Sequence, residues 1–149
     1  MLTISRQAFL RQVALAAALS LAGLGAACAD DVIYTAKLDG AAETPPNDSK
    51  GMGALDAHFD TATKVLSWTV TYSGLTGPAT MAHFHGPAPE GKAAGVMVPI
   101  KDALASPIKG SATLTDDQAR ALTEGQVYFN IHTDAHKAGE LRGQLKAGM

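Results

Sequence analysis

The sequence predicts an all-β domain, an antiparallel sandwich or barrel of about seven to eight strands with one short helix. Three observations predict it. Apolar and polar residues alternate in short stretches, most clearly where Leu66, Trp68, Val70 and Tyr72 interleave with Ser67, Thr69 and Thr71. Turn-forming Gly, Pro, Asn and Asp recur between these stretches at intervals of about ten residues. No strand–helix–strand alternation and no internal repeat is present.

Ile33 to Leu38 alternates and reads as a strand. Ala41 to Gly53 is rich in Pro, Asn, Asp, Ser and Gly and reads as a loop. Leu55, Ala57 and Phe59 alternate with Asp56, His58 and Asp60, a strand with one wet face. Asp60 to Thr63 turns it into the Leu66–Tyr72 strand as a hairpin. Thr80 to His85 is a strand ended by Gly86-Pro87, and residues 86–95 are a loop. Val96 to Ile100 is an apolar run whose Pro99 suits an edge strand. Ile108 to Leu114 is a further strand. The helix signal is Thr115-Asp116-Asp117-Gln118, a capping box, with Gly125 as the stop. Val127 to His132 and Gly139 to Lys146 are the last strands. On the final one Leu141 and Leu145 oppose Glu140, Arg142 and Gln144, so Glu140 and Arg142 read as a surface pair worth under about 1 kcal/mol.

Residues 1–29 hold Arg6 and Arg11, no acid, an apolar run and a terminal Ala27-Cys28-Ala29. A basic start, a short apolar stretch and a small-residue cleavage site make a secretory signal peptide. Residues 30–149 are then a single exported domain, periplasmic or secreted, with no membrane span after cleavage. An alternative is a lipoprotein anchored through Cys28. Cleavage removes two arginines and shifts the formal charge from −2 to −4, so a nucleic-acid partner is not expected. With one cysteine in the chain, neither a disulfide framework nor a CxxC zinc site can form.

Five histidines remain to be explained. His83 and His85 are two apart on a strand, so both rings project from one side while Phe84 points to the core. Met81 shares that side and reads as a packing residue. His132 shares a strand side with Tyr128 and Asn130, and His136 follows four residues later across a turn. Imidazoles gathered at strand ends suit copper, zinc, nickel or iron. His58, between Asp56 and Asp60, reads as an ordinary wet-face histidine.

Four segments and an opening motif resemble the CHRD domain, named from chordin. They are Ala82–Ala88, Gly95–Pro99, Gly125–Thr133 and His136–Leu145, preceded by Ala36–Pro46. The resemblance covers about residues 33–146 and implies an exported or extracellular module. A weaker resemblance is to copper-zinc superoxide dismutase: a His-x-His strand, a later strand ending in histidine, and Gly139-Glu140-Leu141-Arg142-Gly143. It implies a Greek-key β-sandwich in which His83, His85 and His132 match copper ligands. His136 would complete the set, and Arg142 would match the arginine that guides the anion. No histidine lies between His85 and His132, so the zinc ligands are missing and a copper-only site is what carries over.

Three functions follow as expectations. The first is an exported copper-binding protein for copper binding, storage or delivery. The second is a copper-only superoxide dismutase with Arg142 steering the anion. The third is a metal-free interaction module presenting loops 41–53 and 86–95, with its histidines scattered.

Overall fold

The computed structural model describes residues 30–101 and 103–148. The export signal expected over residues 1–29, with Cys28, lies outside them. Among the described residues the strands are β1 (Asp31–Asp39), β2 (Met52–Asp60), β3 (Val65–Ser73), β4 (Ala79–His85), β5 (Val96–Pro99), β6 (Ile108–Thr113), β7 (Tyr128–Thr133), β8 (Leu141–Gln144) and β9 (Lys146–Ala147), with one helix, α1 (Asp116–Thr123). All pairings are antiparallel, in the order β5-β4-β7-β8-β1-β2-β3-β6, with β9 also on β1.

The sheet curls into a nearly closed barrel. Its one seam lies between β5 and β6, where Trp68, Val98, Ile100 and Ala112 line a groove of about 370 Å³. Around the barrel the strands run 1-2-3-6-5-4-7-8. The connections β3–β4 and β6–β7 each skip neighbours, which makes the Greek key. The expected last strand is broken in two, because Leu145 turns aside and its N–H bonds Val127 O at 2.9 Å.

The alternation places the core as expected. Tyr34, Ala36 and Leu38 of β1, Leu55, Ala57 and Phe59 of β2, and Leu66, Trp68 and Val70 of β3 all point inward and are buried. Phe84 lies edge-on between Trp68 and Phe129, at centroid distances of 4.9 and 4.8 Å. The β2–β3 hairpin turns where Asp60 Oδ1 accepts the N–H groups of Ala62 and Thr63, at 2.8 and 2.9 Å. The capping box on α1 is formed, and Gly125 follows the helix at φ 69°.

The outer face of β4, β7 and β8 departs from the expectation. Every residue of β7 and β8 is buried on both sides. Loops 41–51 and 86–95 do not stand free but fold back over this face. Asn47 donates to the carbonyls of Gly139 and Glu140, and Tyr128 exchanges hydrogen bonds with Ala94.

Glu140 and Arg142 are therefore not a surface pair. Glu140 is 0% exposed, and its carboxylate accepts from Ser49 Oγ, Thr76 N, Thr76 Oγ1 and Thr133 Oγ1 at 2.6–2.8 Å. Burial pushes its pKa up, but these hydrogen bonds outweigh it and hold the group below the usual value. Arg142 is 2% exposed, donates to Thr44 Oγ1 and Lys92 O, and lies 3.5 Å over the Tyr128 ring. Alternation assigns a side chain to a face of the sheet; it does not say whether a loop covers that face. No helix among the described residues is long and apolar enough to cross a membrane.

Candidate metal centre

The β4–β7 register sets the site. It pairs Met81 with His132, His83 with Asn130 and His85 with Tyr128. The β7–β8 register then sets Arg142 beside Asn130 and Gln144 beside Tyr128. Opposed residues on one face lie about 4.5–5.5 Å apart at Cβ, so His83 and His85 directly oppose Asn130 and Tyr128, and His132 reaches His83 diagonally from its place opposite Met81.

The rings converge. Ligand nitrogens of His83, His85 and His132 all lie within 4.8 Å of one another. Three atoms so placed share a point about 2.8 Å or less from each, against metal–imidazole bonds of about 2.0 Å, so a small closure completes a site. His83 Nδ1 is 3.2 Å from His132 Nε2. The His83 ring is edge-on to both others, with centroids 5.4 Å from His85 and 5.0 Å from His132.

Backbone carbonyls select the tautomers of two rings. His85 Nδ1 is 3.0 Å from Ala94 O, and His132 Nδ1 is 2.9 Å from Lys137 O. A carbonyl only accepts, so each Nδ1 carries the proton and each Nε2 keeps a lone pair directed at the shared space. Tyr128 stacks on His85, 4.9 Å away and 3° from parallel, and fixes its ring plane. Burial holds His83 below the usual histidine pKa, and the neighbouring His132 and His85 act the same way. Burial also lowers His132, partly countered by the Lys137 carbonyl and assisted by His85. Both rings favour the neutral, ligating form.

The sequence profile of the CHRD domain matches residues 34–145, which include every residue just described. The chain belongs to the CHRD domain family. Comparison with curated proteins finds no match, and comparison with solved structures finds none either.

Other residues of this CHRD domain singled out in the sequence go elsewhere. His136 is half-buried on the β7–β8 turn and lies outside the three-histidine group. Its backbone N–H bonds Thr133 O, and it lies near Glu43, whose pKa burial raises and His136 slightly lowers. His58 is exposed, as expected, and its Nδ1 lies 3.0 Å from Asp31 rather than pairing with Asp56 or Asp60. Met81 is 46% exposed, not packed. Arg142 is 2% exposed, lies over Tyr128 and donates to Thr44 Oγ1 and Lys92 O. Convergence of the three histidines is also the reverse of the scattering a metal-free module predicts.

Two residues placed beside His132 in the sequence are not identified there as part of the site. Asn130 and Tyr128 share the strand side of His132, which period-two reading places correctly. Their nearness to His83 and His85 depends on the β4–β7 register, which one strand alone does not reveal.

Proposed function

We propose that this CHRD domain is an exported copper-binding protein that holds one ion through His83, His85 and His132. Its role is copper binding, storage or delivery in the periplasm or outside the cell. One observation carries the reading: two Nδ1–H groups are consumed by carbonyls, which leaves two Nε2 lone pairs aimed beside a third imidazole. Metal-binding histidines characteristically donate their second nitrogen in this way. A three-imidazole set suits copper. Export rests on the signal-like residues 1–29.

The test is a chelator-competed titration of the purified protein with Cu(II) and Cu(I). One equivalent is expected to bind, and His83→Ala/His85→Ala is expected to abolish it. Absence of stoichiometric binding, or binding unchanged in the double variant, overturns the proposal.

A further inference from the structure

We propose that Asn130 Oδ1 is a fourth donor of this site, and that the resulting three-imidazole, one-carbonyl set favours a divalent ion over Cu(I). The inference rests on the histidines being a metal site, and it names what kind of ion they hold.

Position comes first. Asn130 is 3% exposed and stands at the centre of the face, opposite His83 and two residues from His132. Its Oδ1 lies 3.1 Å from His85 Nε2 and 3.0 Å from His132 Nε2. With the 3.2 Å from His83 Nδ1 to His132 Nε2, three edges of a four-atom figure are known. Bonds of about 2.0 Å give ligand–ligand edges of about 3.3 Å in a tetrahedron and about 2.8 Å in a square. The three edges fall between these values.

Beside two acceptor nitrogens, hydrogen bonding alone would turn the amide NH2 inward. Here Oδ1 faces the rings, at 3.1 and 3.0 Å from the two Nε2 atoms, and the rest of the amide lies towards Glu43, whose pKa burial raises and Asn130 partly lowers. In the metal-free protein an N–H on His83 Nδ1 can bridge to His132 Nε2; with an ion bound, that proton sits instead on His83 Nε2 and Nδ1 is free to ligate. No such proton lies between Oδ1 and His85 Nε2, because a neutral His85 has a single N–H and Ala94 O takes it. Two lone pairs thus face each other at 3.1 Å in a buried place, an arrangement that a shared cation relieves.

Chemistry decides the preference. An amide carbonyl is a hard donor that suits divalent ions, whereas Cu(I) is selected by soft thiolates and thioethers. Three imidazoles bind Cu(I) without help from the carbonyl. Removing the carbonyl should therefore weaken Cu(II) and Zn(II) while leaving Cu(I) nearly unchanged.

The experiment is chelator-competed titration of wild type, Asn130→Ala and His83→Ala/His85→Ala with Cu(II), Zn(II) and Cu(I). The expected result is a loss of about tenfold or more for both divalent ions in Asn130→Ala, with Cu(I) affinity within about threefold. Equal loss for all three ions overturns the inference, since it marks a structural role. So does an unchanged Asn130→Ala, while His-dependent binding by wild type keeps the copper reading intact. No binding by wild type overturns that reading itself. If Asn130→Ala does not fold, a crystal structure of the Zn(II)-loaded wild type decides. Oδ1 within about 2.4 Å of the ion supports the inference, and Oδ1 beyond about 3 Å overturns it.

Discussion

His85 is held from several directions: its Nδ1–H ends on Ala94 O, its ring lies flat on Tyr128, and Arg142 covers Tyr128 in turn. Arg142 therefore positions a ring that in turn positions a ligand. Period two places His83 and His85 on one side and Phe84 in the core, and the structure agrees. It also places Glu140 and Arg142 outward, which is true of the strand face and false of solvent. Their cover comes from Thr44, Ser49 and Lys92, between 50 and 98 residues away in the chain, beyond any local pattern. His83 and His132 have lowered pKa values in the folded apo-protein, so below the ordinary value of about 6.5 the unfolded chain binds more protons. Apo stability is thus expected to fall as pH drops through about 6.5, and urea melts at pH 7.5 and 5.5 check this. The pH-dependent loss should be smaller in His83→Ala/His85→Ala.

At the scale of elements, β4 and β7 present the site because their apolar positions lock the register from inside. A slip of one residue would turn the three histidines into the core. Strand periods and the Thr115 cap of α1 are legible because their signals span only a few residues. The contact between β1 and β8 is not. Only Asp39 and Arg142 are paired there, and Gly143 allows the close approach. A Cβ at Gly143 would come 2.3 Å from the Lys37 carbonyl, closer than backbone tolerates. Gly143→Ala is expected to cost about 2 kcal/mol or more in a urea midpoint measurement with unchanged slope.

For the whole molecule, an ion at the site joins β4 to β7 and, through the Ala94 and Lys137 carbonyls, two loops to the barrel. An ion that binds only the folded chain stabilises it by about 2.7 kcal/mol at a hundredfold excess over Kd. Calorimetry of the metal-loaded protein should show Tm raised by roughly 10 °C, reversed by EDTA and absent in His83→Ala/His85→Ala. The order of strands around the barrel was not legible in the residues alone, because pairing of β3 with β6 and β4 with β7 joins distant segments.

The Glu140 carboxylate joins Ser49, Thr76 and Thr133, closing spans of 91, 64 and 7 residues. That is the work a disulfide does in many exported domains, done with hydrogen bonds alone. The chain's one cysteine is Cys28, so the described barrel carries no thiol. Thiol reductants and oxidants have nothing to cut or form in it, and a copper ion has no sulfhydryl to consume. The cross-brace is redox-indifferent, which suits a domain whose proposed cargo is itself a redox metal.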